Sequence, residues 1–115
     1  MYDVTFAPQS NQASFPYVGL ITDYENNPID ISACSMVFAI KEKRSGSPRL
    51  VASTENGKIT YIALGVFRWF FTESEMNGLA AGTYDTGLTI APNDNPDDTR
   101  QLSVGPLPIV DGVVP

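Results

Sequence analysis

The 115-residue chain has no histidine, a single cysteine (Cys34), and only seven lysines and arginines against thirteen acids. Each shortage removes a class of chemistry. Without histidine there is no His-based triad, no imidazole general base and no imidazole metal ligand. One cysteine allows neither an intrachain disulfide nor a cysteine-based zinc site. Cys34 precedes an apolar strand and reads as a small buried packing residue, in a chain folded in a reducing cytoplasm. The net charge of −6 repels phosphate, so nucleic acid is not an expected partner. Every apolar run stops short of the roughly 18 residues a transmembrane helix needs. Met1-Tyr2-Asp3-Val4 lacks the basic-then-apolar opening of a signal peptide. No membrane is therefore expected. Gly78, Gly82 and Gly87 are wrongly spaced for a phosphate loop, and nothing singles out one acid–base pair among the carboxylates. The expectation is a protein that is not an enzyme and carries no cofactor.

What the chain does have is period two. Tyr2, Val4 and Phe6 share a phase before Pro8 stops the strand. Between Ala13 and Asp23, Phe15, Tyr17, Gly19 and Ile21 oppose Val18 and Leu20, which leaves the buried face open. Met36, Phe38 and Ile40 alternate with Val37, Ala39 and Lys41, the half-buried antiparallel pattern. Phe67, Trp69 and Phe71 share one face of a strand over Val66–Thr72, and Tyr84, Thr86, Leu88 and Ile90 one face of another. Asn56-Gly57 predicts a tight hairpin between Leu50–Ser53 and Lys58–Leu64. Thr72 and Glu75 have capping-box spacing and predict a helix of about two turns, ended by Asn77-Gly78. The sum is an all-β, antiparallel sandwich of about seven to nine strands with one short helix. Residues 1–104 form the sandwich domain. Pro106 and Pro108 cannot donate to a ladder, so 105–115 is expected to be a proline-rich edge strand or tail.

Candidate binding residues follow from what the strands leave outside. If Phe67, Trp69 and Phe71 face the core, then Val66, Arg68 and Phe70 face outward, and an aromatic there suggests a protein contact. Lys41, Lys43, Arg44 and Arg49 could form a local basic patch, with Lys43 and Arg44 in a loop that otherwise reads as solvated. Pro106, Pro108 and Val110 lie on the expected edge, open to strand addition. Trp69, or Tyr17 with Tyr61, could instead serve a carbohydrate- or receptor-binding module. Asn93-Asp94-Asn95-Pro96-Asp97-Asp98 clusters oxygens as calcium sites do, but without EF-hand spacing. It reads as a solvated hairpin tip.

Three stretches form a pattern. Asn27-Pro28-Ile29-Asp30-Ile31-Ser32 is a turn followed by a Pro-Ile-Asp-type strand. Ser53-Thr54-Glu55-Asn56-Gly57-Lys58-Ile59 resembles a Thr-Thr-Glu-Asn-Gly-Gly-Ile segment. Gly65 to Thr72 and then Leu79-Ala80-Ala81-Gly82-Thr83-Tyr84 resemble a strand, a short helix and a Leu-x-x-Gly-x-Tyr return. In order and spacing these resemble the small immunoglobulin-like β-sandwich virion proteins of tailed phages and prophages. They are also similar to the N-terminal domain of lactococcal phage upper baseplate proteins. The resemblance implies a structural virion protein, an adaptor in the neck or collar, the baseplate or a fibre-attachment region, or else a capsid decoration protein. It implies assembly in the host cytoplasm, other virion proteins as partners in a symmetric assembly, and a possible homo-oligomer within the particle. It brings no catalytic residue.

Overall fold

The computed structural model describes residues 2–43 and 46–112. In chain order the elements are β1 (Tyr2–Asp3), β2 (Gln9–Ser10), β3 (Phe15–Leu20), β4 (Cys34–Lys41), β5 (Pro48–Ser53), β6 (Ile59–Ala63), β7 (Val66–Phe71), α1 (Glu73–Met76), β8 (Gly82–Pro92) and β9 (Arg100–Val110). They form two packed sheets. The larger runs β1-β9-β8-β4-β5, with β2 also on β9; the smaller runs β3-β7-β6. The β3–β4, β5–β6 and β7–β8 connections each cross from one sheet to the other. This is the Greek-key order of an immunoglobulin-like sandwich. The main ladders are antiparallel, while the two-residue strands β1 and β2 lie parallel to β9.

The alternation places the core as the sequence predicts. Met36, Phe38 and Ile40 of β4 are buried, as are Phe67, Trp69 and Phe71 of β7 and Tyr84, Thr86 and Leu88 of β8. In β3 the open question resolves: Phe15 is buried, while Val18 and Leu20 are exposed. Trp69 is the centre of the packing. Its ring stacks on Phe38 from the facing sheet at 3.8 Å and 12°, and on Tyr17 at 4.3 Å and 15°. Phe6 and Phe15 meet it edge-on. Gly19 makes room for this layer, because a Cβ there would lie 2.3 Å from the Phe67 ring. At the start of β8 the Tyr84 hydroxyl donates to the Ala80 carbonyl at 2.9 Å. A tyrosine tied back a few residues at this corner is a recurring feature of such sandwiches.

Several expectations need correction. Asn56-Gly57 is not a hairpin turn, since β5 pairs with β4 and β6 pairs with β7. The dipeptide sits in a crossover between sheets. Gly57 does adopt positive φ (81°), but the Asn56 side chain supplies the order. Its Oδ1 accepts from the Ser53 and Lys58 N–H groups, and its Nδ2 donates to the Val51 carbonyl. The signal for a left-handed residue was sound, and the inference that the flanking strands pair with each other was not. Cys34 is only half-buried, and its carbonyl accepts from the Tyr61 hydroxyl at 2.6 Å.

The boundary expected at 104/105 is also absent, because β9 runs unbroken through Gly105, Pro106, Leu107 and Pro108 beside β8. The carbonyls of Val104, Pro106 and Val110 accept from Val4, Phe6 and Asn11 on the N-terminal side. Backbone groups alternate sides along a strand, so the missing N–H groups of Pro106 and Pro108 also face that side. The prolines therefore leave the β8 ladder uninterrupted from Gly82 to Leu88. The prolines instead leave the N-terminal segment only short contacts with β9. One is close, since a Cβ on Gly105 would lie 1.5 Å from the Val4 carbonyl oxygen.

The helix is a single turn with a complete capping box. Thr72 Oγ1 accepts from the Glu75 N–H, and the Glu75 carboxylate accepts from the Thr72 N–H. Met76 and Leu79 close one end of the core. Glu75 also pairs with Lys58, tying the helix to the β5–β6 crossover. Burial pushes the Glu75 carboxyl up, but the Lys58 ammonium and the Thr72 donors outweigh it and hold it below the usual 4.5. A folded-state pKa below the unfolded one stabilises above the unfolded value, and that contribution is lost as pH falls through the folded value. The stability difference between the native chain and Glu75→Gln should therefore shrink as pH is lowered from about 7 to about 3. Denaturant titrations at several pH values measure it, and a difference that grows on acidification would contradict the pairing.

Candidate interaction surface

The outer face of the three-stranded sheet is built from alternate residues of β3, β7 and β6. Register sets Leu20 beside Val66 and Ala63, Val18 beside Arg68 and Thr60, and Pro16 beside Phe70. Antiparallel partners project to the same face, so these side chains form one continuous surface. None of these strand residues is a carboxylate; beyond Phe70 the face ends at the Lys58–Glu75 pair. Val18 is 56% and Leu20 58% exposed. Val66 and Phe70 are half-buried. Arg68 lies 5.3 Å above the Phe70 ring, a cation–π contact. It forms no ion pair among the described residues. Ile62 and Leu64, at the β6–β7 hairpin, are also more than half exposed.

The residues expected to form a partner surface therefore separate. Val66, Arg68 and Phe70 do share one face. Lys43 lies in the β4–β5 connection on the other sheet, and Arg44 lies outside the described residues. Pro106, Pro108 and Val110 lie on β9, and Pro108 is half-buried against the N-terminal side. β9 is not the free edge that the prolines suggest, because β1 and β2 cover part of it. The sequence reading missed Val18 and Leu20. Their phase was visible, but only pairing with β7 shows which phase faces water.

Other candidates lose their basis. Trp69 is 1% exposed, so it cannot stack on a sugar, and Tyr17 is locked against it. The Trp69 indole N–H finds no acceptor among the described residues. Tyr61 is half-buried, and burial raises its phenol above the usual value, with the neighbouring Cys34 adding to the shift. In the 92–98 turn, the Asn95 and Asp98 N–H groups donate back to Pro92 and Asn95. Among the described residues no three His, Cys, Asp or Glu side chains converge as metal ligands, and no helix is long and apolar enough to cross a membrane.

The chain matches no protein-family model and no curated protein sequence.

If this face is open to solvent, Val18→Thr and Leu20→Thr should each change stability by less than about 0.5 kcal/mol. Phe67→Ala, on the buried side of the adjoining strand, should cost about 3–5 kcal/mol. Urea midpoints decide. A loss at Val18 as large as that at Phe67 would mean that the face is packed within the monomer.

Proposed function

We propose that the chain is a non-enzymatic structural adaptor of a tailed-phage virion, attached to other virion proteins through the outer face of β3-β7-β6. The observation that carries this reading is the group of apolar side chains Pro16, Val18, Leu20, Val66 and Phe70 set around Arg68 on one open sheet face, on a chain of net charge −6. A group of apolar side chains exposed together on one sheet face suits a contact surface. The motif order over Asn27–Ser32, Ser53–Ile59 and Leu79–Tyr84 supports the choice of phage particle as the assembly. A small domain suits such a role, since a modest contact repeated by symmetry holds far more firmly than one copy alone. The neck or collar, the baseplate and the fibre-attachment region are the places it would serve.

The test uses particles of the phage or induced prophage that encodes the chain. Mass spectrometry should find the native protein in purified particles. The double variant Val18→Lys, Leu20→Lys should fold with an unchanged circular dichroism spectrum and be missing from them. Particles that lack the native protein would overturn the reading. Particles that hold both forms equally would overturn this face as the attachment surface.

A further inference from the structure

Two independent features meet on one side of β3. The first is its backbone. Phe15, Tyr17 and Gly19 pair with Phe71, Trp69 and Phe67, and Ile21 donates to the Gly65 carbonyl. These odd-numbered residues thus turn their backbone groups toward β7, and Val18 and Leu20 turn theirs the opposite way. No strand lies there, as β3 ends its sheet, and neither N–H has an acceptor among the described residues. The other sheet margins are blunted as edge strands usually are. β5 begins with Pro48 and Arg49, β6 is bulged between Tyr61 and Ala63, and β9 is partly covered by β1 and β2. On β3 only Pro16 serves that end, and the stretch from Ala13 to Thr22 has no charge at all.

The second feature is a crevice of about 240 Å³ between the sheets on this same side. Val4, Phe6, Ile21, Phe67, Trp69 and Leu102 are among its walls, and no charged side chain lines it. It is smaller than the roughly 300–1,000 Å³ of a small-molecule site; it suits one or two inserted apolar side chains. A strand added to β3 would send alternate side chains into the sandwich, into that space. Carboxylates adjoin the crevice at two points, while the one cation that register places beside β3 is Arg68, opposite Val18 on the outer face. The first forty residues include Asp3, Asp23, Glu25 and Asp30 and no lysine or arginine. Asp3 adjoins Val4, and Asp23 follows Thr22 at the crevice wall.

We propose that the free edge of β3 is a strand-addition site for an extended apolar segment of a partner protein flanked by basic residues. The partner main chain pairs with Val18 and Leu20, its alternate side chains fill the crevice, and its flanking cations meet the acidic rim. This goes beyond the adaptor reading and does not depend on the assembly in which the chain serves. The sheet face and the strand edge meet on β3: the face uses the side chains of Val18 and Leu20, the edge their backbone groups.

Trp69, the single tryptophan, borders the crevice and reports on it. The probe is a capped nine-residue peptide with valine at alternate positions, threonine between them and lysine at both ends. The full chain should give a saturable change in tryptophan emission below about 1 mM peptide. Amide shifts in two-dimensional NMR should then centre on Val18 and Leu20. Val18→Pro removes one free donor where β3 has no partner, a position that tolerates proline. It should weaken binding at least about tenfold, and the NMR mapping on the native chain stands if that variant fails to fold. Exchanging the lysines for glutamates should weaken binding by at least about tenfold. No saturable change, shifts centred elsewhere, or equal binding by Val18→Pro would overturn the site. Equal binding of the glutamate peptide would overturn the basic partner.

Discussion

The sandwich depends on one stack. Trp69 lies between Tyr17 of its own sheet and Phe38 of the other, with near-parallel rings on both sides. Phe6 and Phe15 close the edges. In sandwiches of this order a disulfide often joins the two sheets, and a single cysteine rules that out here. Aromatic burial takes its place. Rings of this size bury about 150–250 Å² each, a large hydrophobic contribution at the centre of the core. The stack dictates other choices nearby. Gly19 exists without a side chain because the Phe67 ring occupies that position.

Tight closure around Trp69 shifts the chemistry outward. Trp69 and Tyr17, the rings that could have served a sugar platform, are committed to the packing, while Phe70 on the outer face and Tyr24 between β3 and β4 are not. The chain's remaining resources are sheet surfaces and edges. The larger sheet covers its outer edge with the N-terminal segment, held by Val4, Phe6 and Asn11 N–H groups. The smaller sheet has no such cover. Its outer face groups apolar side chains around Arg68, and the edge of β3 is uncharged and unpaired. Both features lie on the same strand, with Val18 and Leu20 contributing side chains to the face and backbone groups to the edge. β3 is thus where the monomer is least complete.

Much of this was legible in the sequence. Period two in Met36–Ile40, Phe67–Phe71 and Tyr84–Leu88 located the core strands and their inner faces, because burial of one face leaves a direct mark on residue choice. The capping box at Thr72 and Glu75 was equally local, although the helix stops after one turn. What could not be read was pairing. Asn56-Gly57 serves a crossover as well as a hairpin: here only Gly57 takes positive φ, where a type I′ turn needs it at both residues, and tertiary contacts decide between the two. Pro106 and Pro108 exclude a donor from one side of a strand, and the sequence does not say which side faces the neighbour. Arg68 and Phe70 were found on the outer face because their strand alternates cleanly. Val18 and Leu20 were not, because every phase of β3 is apolar.

The account turns on β3 being complete on one side and open on the other. Residue-resolved amide hydrogen exchange of the isolated chain tests that directly. Tyr17 and Gly19 should be protected by their bonds to β7, and Val18 and Leu20 should exchange much faster, giving alternating protection along one strand. Uniformly slow exchange from Phe15 to Leu20 would show that the edge is already paired and would contradict the account.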